Sequence, residues 1–517
     1  MLNLSVLLED SARRYPAKDA YIIMGKHLSF KQVNALANQV ANGLISIGIK
    51  RGDKVAMTCL NLPQFPIIYY GILKLGAIVV PLNPLLKGDE IAFHLKDSDA
   101  KAYFCFQGTE QIPIGEWGLE GFKQVKKCRH LYSITSDLAA ASPFKGVPTL
   151  GQFVYGQSPL FESVQTKADD VAVIIYTSGT TGRAKGAQLT HNSLFINASL
   201  SSNTDIIGTT SNDIQIITLP LFHIFAMTCL MNAGLYRGVT SVLIPRFSPE
   251  DVLKAMETYK VTLFAGVPTM YWALMMCSKE GFDLVEIKRN LRVCISGGAS
   301  LPLSVIEGFE KIFEKGILEG YGMSEGSPVV TFNHSNRVRK PGSVGIPIWG
   351  VEVKLIDDKG EEVPVGEKGE LLYRGHNVMV GYYKRADENT KTLKNGWLHS
   401  GDIAIKDEDG YFFIVDRIKD MIIRGGENVY PREVEEVMMK HPAISLVAVI
   451  GMPDERLGEE VKACIVLKDG HTASTDEIKE WTRERVGLHK YPRVVDILDA
   501  LPMNATGKIL KKELRKM

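Results

Sequence analysis

Hydrophobic positions recur with a helical period over residues 29–44, where Val33, Leu36, Val40 and Leu44 share one face. Ser29 and Gln32 open that segment with the spacing of a capping box. A Gly-Asp-Lys turn then leads into the apolar run Val55–Leu60, a second helical pattern covers 65–75, and Ala77–Leu82 is again apolar and strand-length. The alternation returns over 171–200, 215–245 and 251–298. Strands separated by helical patterns predict βαβ units and parallel sheet. After about residue 340 the texture changes. Val351–Ile356 alternates and ends in Asp-Asp-Lys-Gly360, and Gly369–Arg374 follows in the same style, which predicts a small antiparallel barrel over 340–416. From 417 to 517 the pattern is that of a compact α+β unit, with apolar strands at Leu446–Ile450 and Ala463–Leu467. Pro431 has an N1-like position, and Ser474 and Thr475 precede Glu477 as a helix start. The short charged string Asp416-Arg-Ile-Lys-Asp420 reads as a hinge near 416–419 between domains 1–416 and 417–517.

Composition narrows the class. The chain has 517 residues, with 60 Lys and Arg against 59 Asp and Glu, so it carries no basic field for a nucleic acid partner. Its seven cysteines form no CxxC or Cys/His cluster, so neither a disulfide framework nor a zinc site is expected. Met1–Asp10 reads as an amphipathic helix start, not a signal peptide. Val261–Ser278 is uncharged, but Gly266, Pro268 and Thr269 break it into a buried strand (261–265) and a helix from Pro268. No membrane span is expected, and the expected location is the cytoplasm. Transient membrane contact and a homodimer stay open.

The strongest chemical signal is Val171-Ala-Val-Ile-Ile-Tyr-Thr-Ser-Gly-Thr-Thr-Gly-Arg-Ala-Lys-Gly-Ala187. A buried strand feeds a loop of glycines, hydroxyls, an Arg and a Lys, and a helix follows near Thr190. Such a loop wraps backbone N–H groups around an anion while Lys185 supplies charge. No GxxxxGK[ST] spacing fits, so it is not a Walker A loop.

Tyr176–Gly186 resembles the phosphate loop of the adenylate-forming superfamily of acyl- and aryl-CoA synthetases, adenylation domains and beetle luciferases. Seven further motifs follow in that superfamily's order: Pro220-Leu-Phe-His223, Ser296-Gly-Gly-Ala299, Gly320-Tyr-Gly-Met-Ser-Glu325, Ser400-Gly-Asp402, Asp416-Arg-Ile-Lys419, Gly425-Gly-Glu-Asn428 and Asn504-Ala-Thr-Gly-Lys508. The resemblance spans essentially the whole chain. Its departures are Ala184, where proline is usual, and Ser324, where threonine is common. It implies an α/β fold with two βαβ-type sheet subdomains and a small β-barrel in the large N-terminal domain, followed by a small mobile C-terminal domain.

The resemblance also implies roles. Thr177, Ser178, Gly179, Thr180, Thr181, Gly182, Lys185 and Ser324 would hold the phosphates of ATP. Tyr321 would stack on adenine beside Gly297, Gly298, Ala299 and Gly322, while Asp402 and Arg417 would hold the ribose. Glu325, with Thr177, would contact Mg²⁺, a cation needed to bridge phosphate oxygens as charge moves onto pyrophosphate. His223 would lie beside the reacting carboxylate. Lys508 would neutralise charge developing at the α-phosphorus, a contribution on the order of 10²–10³ in rate. Lys419 would be the hinge about which the small domain turns, bringing Gly425 and Gly426 to a channel for coenzyme A. Apart from this context, Asp402 is an ordinary turn aspartate, Tyr321 a core tyrosine and His223 a structural histidine. The tail cations Lys511, Lys512, Arg515 and Lys516 read as a solvated charged face.

No acidic residue lies between Asp213 and Glu250, so an ammonium in the substrate pocket would be unpaired. The wall segments 222–227, 264–270 and 327–331 are mainly apolar, with Phe222, Phe225, Met227 and Val267 as lining candidates. Phe264–Tyr271 and Asn428–Arg432 most resemble bacterial medium- and long-chain fatty acid CoA ligases. The expected reaction is ATP-dependent conversion of an apolar carboxylic acid to its acyl-CoA through acyl-AMP. The alternative is an aromatic or alicyclic acid, with Phe222, Phe225 and Tyr271 packing on a ring.

Overall fold

The computed structural model describes residues 2–177, 184–278, 281–505 and 507–517. Two large sheets and a curled antiparallel sheet carry the chain to Arg417. The first large sheet has nine strands, ordered Ile346–Pro347, Val329–Phe332, Ile317–Gly322, Val293–Ser296, Leu263–Gly266, Ile214–Ile217, Thr240–Leu243, Asp19–Ile23 and Lys26–Ser29. From Ile317–Gly322 to Asp19–Ile23 its neighbours are parallel. The second has seven, ordered Gly381–Tyr382, Lys185–Thr190, Val171–Thr177, Ile78–Pro81, Lys54–Thr58, Ala100–Phe106 and His130–Ile134. The βαβ reading therefore holds, but the two units are interleaved: residues 19–29 add edge strands to a sheet built otherwise from residues beyond 213.

Local signals behave as their chemistry predicts. Helix Phe30–Ser46 carries the reciprocal cap, with Ser29 N–H donating to Gln32 (2.8 Å) and Gln32 N–H to Ser29 (3.3 Å). Helix Gln64–Lys74 crosses it at Gly71, where a Cβ would stand 2.5 Å from Val40 Cγ1. The uncharged stretch divides into strand Leu263–Gly266 and helix Pro268–Cys277, and no helix among the described residues is long and apolar enough to cross a membrane.

The antiparallel sheet comprises Val351–Ile356, Lys368–Gly375, Leu393–Lys394, Trp397–Lys406 and Phe412–Arg417. Not all of 340–416 belongs to it: Gly381–Tyr382 leaves to pair with Lys185–Thr190 of the second sheet. One hydrophobic core extends as far as Phe412, and separate clusters begin at Ile422. The accessible surface is 22092 Å², above the ~19,000 Å² expected of one compact body of this mass. Two lobes with separate cores account for the excess. Strand Phe412–Arg417 and the 3-10 turn Ile418–Asp420 join them.

The charged tail differs from its expected solvated state. Lys511 pairs with Glu435 (2.8 Å) and Arg515 with Asp420 of the joining turn (3.0 Å), while Lys512 stays exposed. Chain order hides both pairs, because each partner lies more than 70 residues upstream.

Candidate functional site

Strands Val171–Thr177 and Lys185–Thr190 are an antiparallel pair closed at Thr177 and Lys185. Ser178, Gly179, Thr180, Thr181 and Gly182 lie outside the described residues. Thr190 caps helix His191–Ser201, as expected, but a whole strand separates that helix start from the loop. Lys185 does not extend as a free cation. Its ammonium pairs with Glu388 (2.7 Å) and lies 4.6 Å from the centre of the Tyr382 ring.

Strand Ile317–Gly322 carries Tyr321 next to its last residue, and the tyrosine hydroxyl donates to Asp402 Oδ2 (2.5 Å). Arg417, paired with Asp402 across adjacent strands, places Nε 3.1 Å from Asp402 Oδ1. Ser400 Oγ accepts from Asp402 N–H (3.0 Å) and fixes the turn. The structure thus brings the expected adenine and ribose residues together. Gly297 and Gly298 lie at the end of strand Val293–Ser296, with Ala299 next in the chain. At Gly322 a Cβ would meet Pro328 O at 2.1 Å, so only glycine fits there.

From the small lobe, the turn Asn504–Lys508 closes with Gly507 N–H donating to Asn504 O and Lys508 N–H to Asn504 Oδ1, each at 2.9 Å. Gly507 has φ +79°, and a Cβ there would lie 2.9 Å from Thr269 Oγ1 and 3.2 Å from Val267 Cγ2. The turn is therefore seated on the large lobe. Burial, then Arg417, lower the Lys508 ammonium to about 8, with Asp402 opposing and Lys419 adding to the fall. Burial and the nearby Lys508 lower His223 to about 4, so its ring is neutral at physiological pH. His223 Nδ1 accepts from Phe225 N–H (3.3 Å).

Glu325 sits in the single 3-10 turn Ser324–Gly326 and is buried. Its Oε1 accepts from the Tyr382 hydroxyl (2.7 Å) and from Thr177 Oγ1 (3.4 Å). No cluster of three or more His, Cys, Asp or Glu ligands occurs among the described residues. One hard carboxylate beside a hydroxyl instead suits Mg²⁺, which is held through one or two carboxylates, substrate phosphates and water.

On the acyl side, Phe225 faces Gly297, where a Cβ would come within 3.3 Å of its ring. Val267 is buried and Phe222 partly so, while Met227 is wholly enclosed in the core. Behind them, the π-helical stretch Phe225–Asn232 backs onto a small cavity lined by Cys229, Leu230, Leu263, Phe264 and Ile295. Tyr271 is not available to a ring substrate: it is buried, and its hydroxyl donates to Ile295 O (2.6 Å). Gly425 and Gly426 form the tip of a small-lobe hairpin, both at positive φ, and Gly425 N–H donates to Leu457 O (2.8 Å) within the same lobe. This structure does not bring them to the Lys508 cluster. Lys419 lies exposed in the joining turn.

A family model for the AMP-binding enzyme matches residues 8–383, and one for the AMP-binding enzyme C-terminal domain matches 433–508. The chain belongs to the AMP-binding enzyme family. A long-chain-fatty-acid–CoA ligase of Bacillus subtilis (strain 168) is 35% identical, over 99% of this chain and 94% of the relative. A feruloyl-CoA synthase of an Amycolatopsis species is 36% identical, over 98% and 97%. ATP-bound MatB from Rhodopseudomonas palustris is 29% identical and superposes with a TM-score of 0.90 over 100% of this chain and 99% of that one. The apo form of MatB gives 0.79 at the same coverage. The expected superfamily, α/β architecture and enzyme class, an AMP-forming acid–thiol ligase, hold.

Several residues of this AMP-binding enzyme's site escape sequence reasoning. Tyr382 and Glu388 reach Glu325 and Lys185 from 57 and 203 positions away, and only the pairing of Gly381–Tyr382 with the second sheet brings them there. Lys368 of the antiparallel sheet pairs with Glu433 of the small lobe (2.6 Å) and lies 4.0 Å from the Tyr430 ring centre, a bond between lobes that no motif announces.

Proposed function

We propose that this AMP-binding enzyme activates an apolar carboxylic acid, of the medium- or long-chain fatty acid kind, and passes the acyl group to coenzyme A in the cytoplasm. The observation that carries the reading is the seating of Lys508 beside Asp402, Arg417 and neutral His223, next to the apolar face of Phe225 and Val267. A carboxylate oxygen of the acid would attack the α-phosphorus of ATP, and pyrophosphate would leave with the electron pair of the broken P–O bond. Lys508 would then offset the negative charge gathering on the phosphoryl oxygens. A neutral His223 can orient the incoming carboxylate by donating a hydrogen bond without pairing with its charge. Tyr321, Asp402 and Arg417 would bind the nucleoside, and Mg²⁺ on Glu325 and Thr177 would supply charge neutralisation to the phosphates. In the second step the thiolate attacks the acyl carbonyl and AMP leaves. Gly425 and Gly426 would serve that step after rotation near Lys419, which fits the closer likeness here to an ATP-bound relative than to an apo one.

A second reading, an aromatic or alicyclic acid, draws on the part-exposed rings of Phe222 and Phe225 and on the feruloyl-CoA synthase relative. Pyrophosphate, AMP and acyl-CoA are to be measured with straight-chain, benzoic and cyclohexane-type acids, with and without coenzyme A. The reading expects pyrophosphate with at least one straight-chain acid of medium or long length. Turnover of ring acids alone would favour the second reading, and no pyrophosphate with any hydrophobic acid would overturn both.

A further inference from the structure

We propose that Tyr382 is a positioning residue for Glu325: its hydroxyl fixes the carboxylate in the orientation that receives the divalent cation. The inference rests on the reading of Glu325 as the metal contact and adds a residue that the motifs do not include. Glu325 belongs to a turn of three residues, too short to hold a flexible side chain by helical packing. Two of its restraints come from one segment of the chain. Met379 N–H donates to the Glu325 carbonyl (2.9 Å), and the Tyr382 hydroxyl donates to its Oε1 (2.7 Å). Thr177 also donates to Oε1, which leaves Oε2 without a hydrogen bond among the described residues.

The same segment is sewn to the strand that returns from the Gly-rich loop. Val380 N–H donates to Gln188 O (3.0 Å), Tyr383 N–H donates to Gly186 O (2.8 Å), and Tyr382 stands opposite Ala187. Tyr382 is itself held. Its N–H donates to Asn389 Oδ1 (2.6 Å), and its ring lies under the Lys185 ammonium that Glu388 pairs. The segment therefore ties Glu325 to the base of the phosphate loop, and the tyrosine hydroxyl is the end of that tie. A hydrogen bond to a ligating carboxylate sets its orientation and basicity, and its loss weakens metal affinity by roughly 10–100-fold.

Tyr373 supplies the control. Its hydroxyl is buried close to the same turn but has no hydrogen-bond partner. Removing it should leave the carboxylate unchanged.

The test is Mn²⁺ binding, followed by paramagnetic resonance, to the full chain with a non-hydrolysable α,β-methylene analogue of ATP and no acid present. Thermal melting checks that each variant folds. Tyr382→Phe keeps the ring under Lys185 and should weaken Mn²⁺ binding by about tenfold. Tyr373→Phe should bind as the parent does. Glu325→Gln should bind weakly, and adding Tyr382→Phe to it should change nothing further. Asn389→Ala, which loosens the Tyr382 backbone without altering its ring, should shift affinity in the same direction by a smaller factor, and serves if Tyr382→Phe does not fold. Parent-like binding by Tyr382→Phe (or by Asn389→Ala in its place) would overturn the assignment, as would an equal loss in Tyr373→Phe. A full further loss in the double variant would do so too. Because no acid is turned over, these results stand apart from the pyrophosphate assay that decides the proposed reaction.

Discussion

The ammonium of Lys508 offers a direct test of the adenylation assignment through pH. Burial and then Arg417, with Lys419 adding, bring it from 10.5 to about 8, against the opposing pull of Asp402. The group is charged below that value and neutral above it. The charged fraction falls from roughly nine-tenths at pH 7 to roughly one-tenth at pH 9. If the positive charge assists the α-phosphoryl transfer, kcat/KM for ATP should hold level to about pH 8 and then fall about tenfold per pH unit, since that ratio reports the free enzyme. His223, at about 4, stays neutral across the range and adds no limb of its own. The assay is initial pyrophosphate release from pH 6.5 to 9.5 with a saturating acid. Lys508→Arg keeps its charge throughout, so its profile should stay level past pH 9 whatever its absolute rate. The thioester step, started from supplied acyl-AMP, should lack the limb. A parent profile flat to pH 9.5, or an identical limb in Lys508→Arg, would refute the assignment. The stability sign is opposite. From about 8 to 10.5 the unfolded chain binds more protons than the folded one, so folded stability rises with pH in that window.

Three further outcomes are expected. Lys508→Ala should block acyl-AMP formation yet spare thioester formation from supplied acyl-AMP, and a bulky residue at Gly426 should do the reverse, which separate assays of the two half-reactions would show. Glu319, pushed up to about 7 by burial despite the Gly342 N–H and Arg432, destabilises the fold once ionised, and stability is lost as pH rises from about 4.5 through 7. Glu319→Gln should therefore melt like the parent at pH 5 and more stably at pH 8.5, by at most about 3 kcal/mol, and a lower melting point at pH 8.5 would show that the carboxylate is needed. Gly71→Ala places a methyl 2.5 Å from Val40 Cγ1 and 2.9 Å from the Ala37 carbonyl oxygen, so chemical denaturation should show a loss of about 1–3 kcal/mol despite alanine's better helix propensity.

Much of the fold is legible where the signal is local. The cap at Ser29, the proline starts at Pro268 and Pro431, and the cap at Ser474 each mark a helix because the hydrogen bonds involved close within a few residues. The destination of strand Asp19–Ile23 is not legible, because the strand it pairs with lies near residue 241. The site divides in the same way. Asp402 and Arg417 stand out as motif residues, and their 3.1 Å contact follows from strand pairing. The composition of its loop predicts that Lys185 faces phosphate. Its partner Glu388 arrives through a distant segment that crosses between sheets, and nothing in the loop's own wording records that. The tail cations show the converse: their spacing suits a solvated surface until Asp420 and Glu435 are brought beneath them.

The crossing of residues 377–383 also decides how this protein can be cut. Strand Lys185–Thr190 would be the outer edge of the second sheet were it not covered by Gly381–Tyr382. A fragment ending near residue 375 would bare a row of main-chain donors and acceptors, an invitation to pair with a neighbouring molecule. A recombinant N-terminal piece intended to stay monomeric should therefore extend through Arg417, even though both broad sheets are otherwise finished by residue 347.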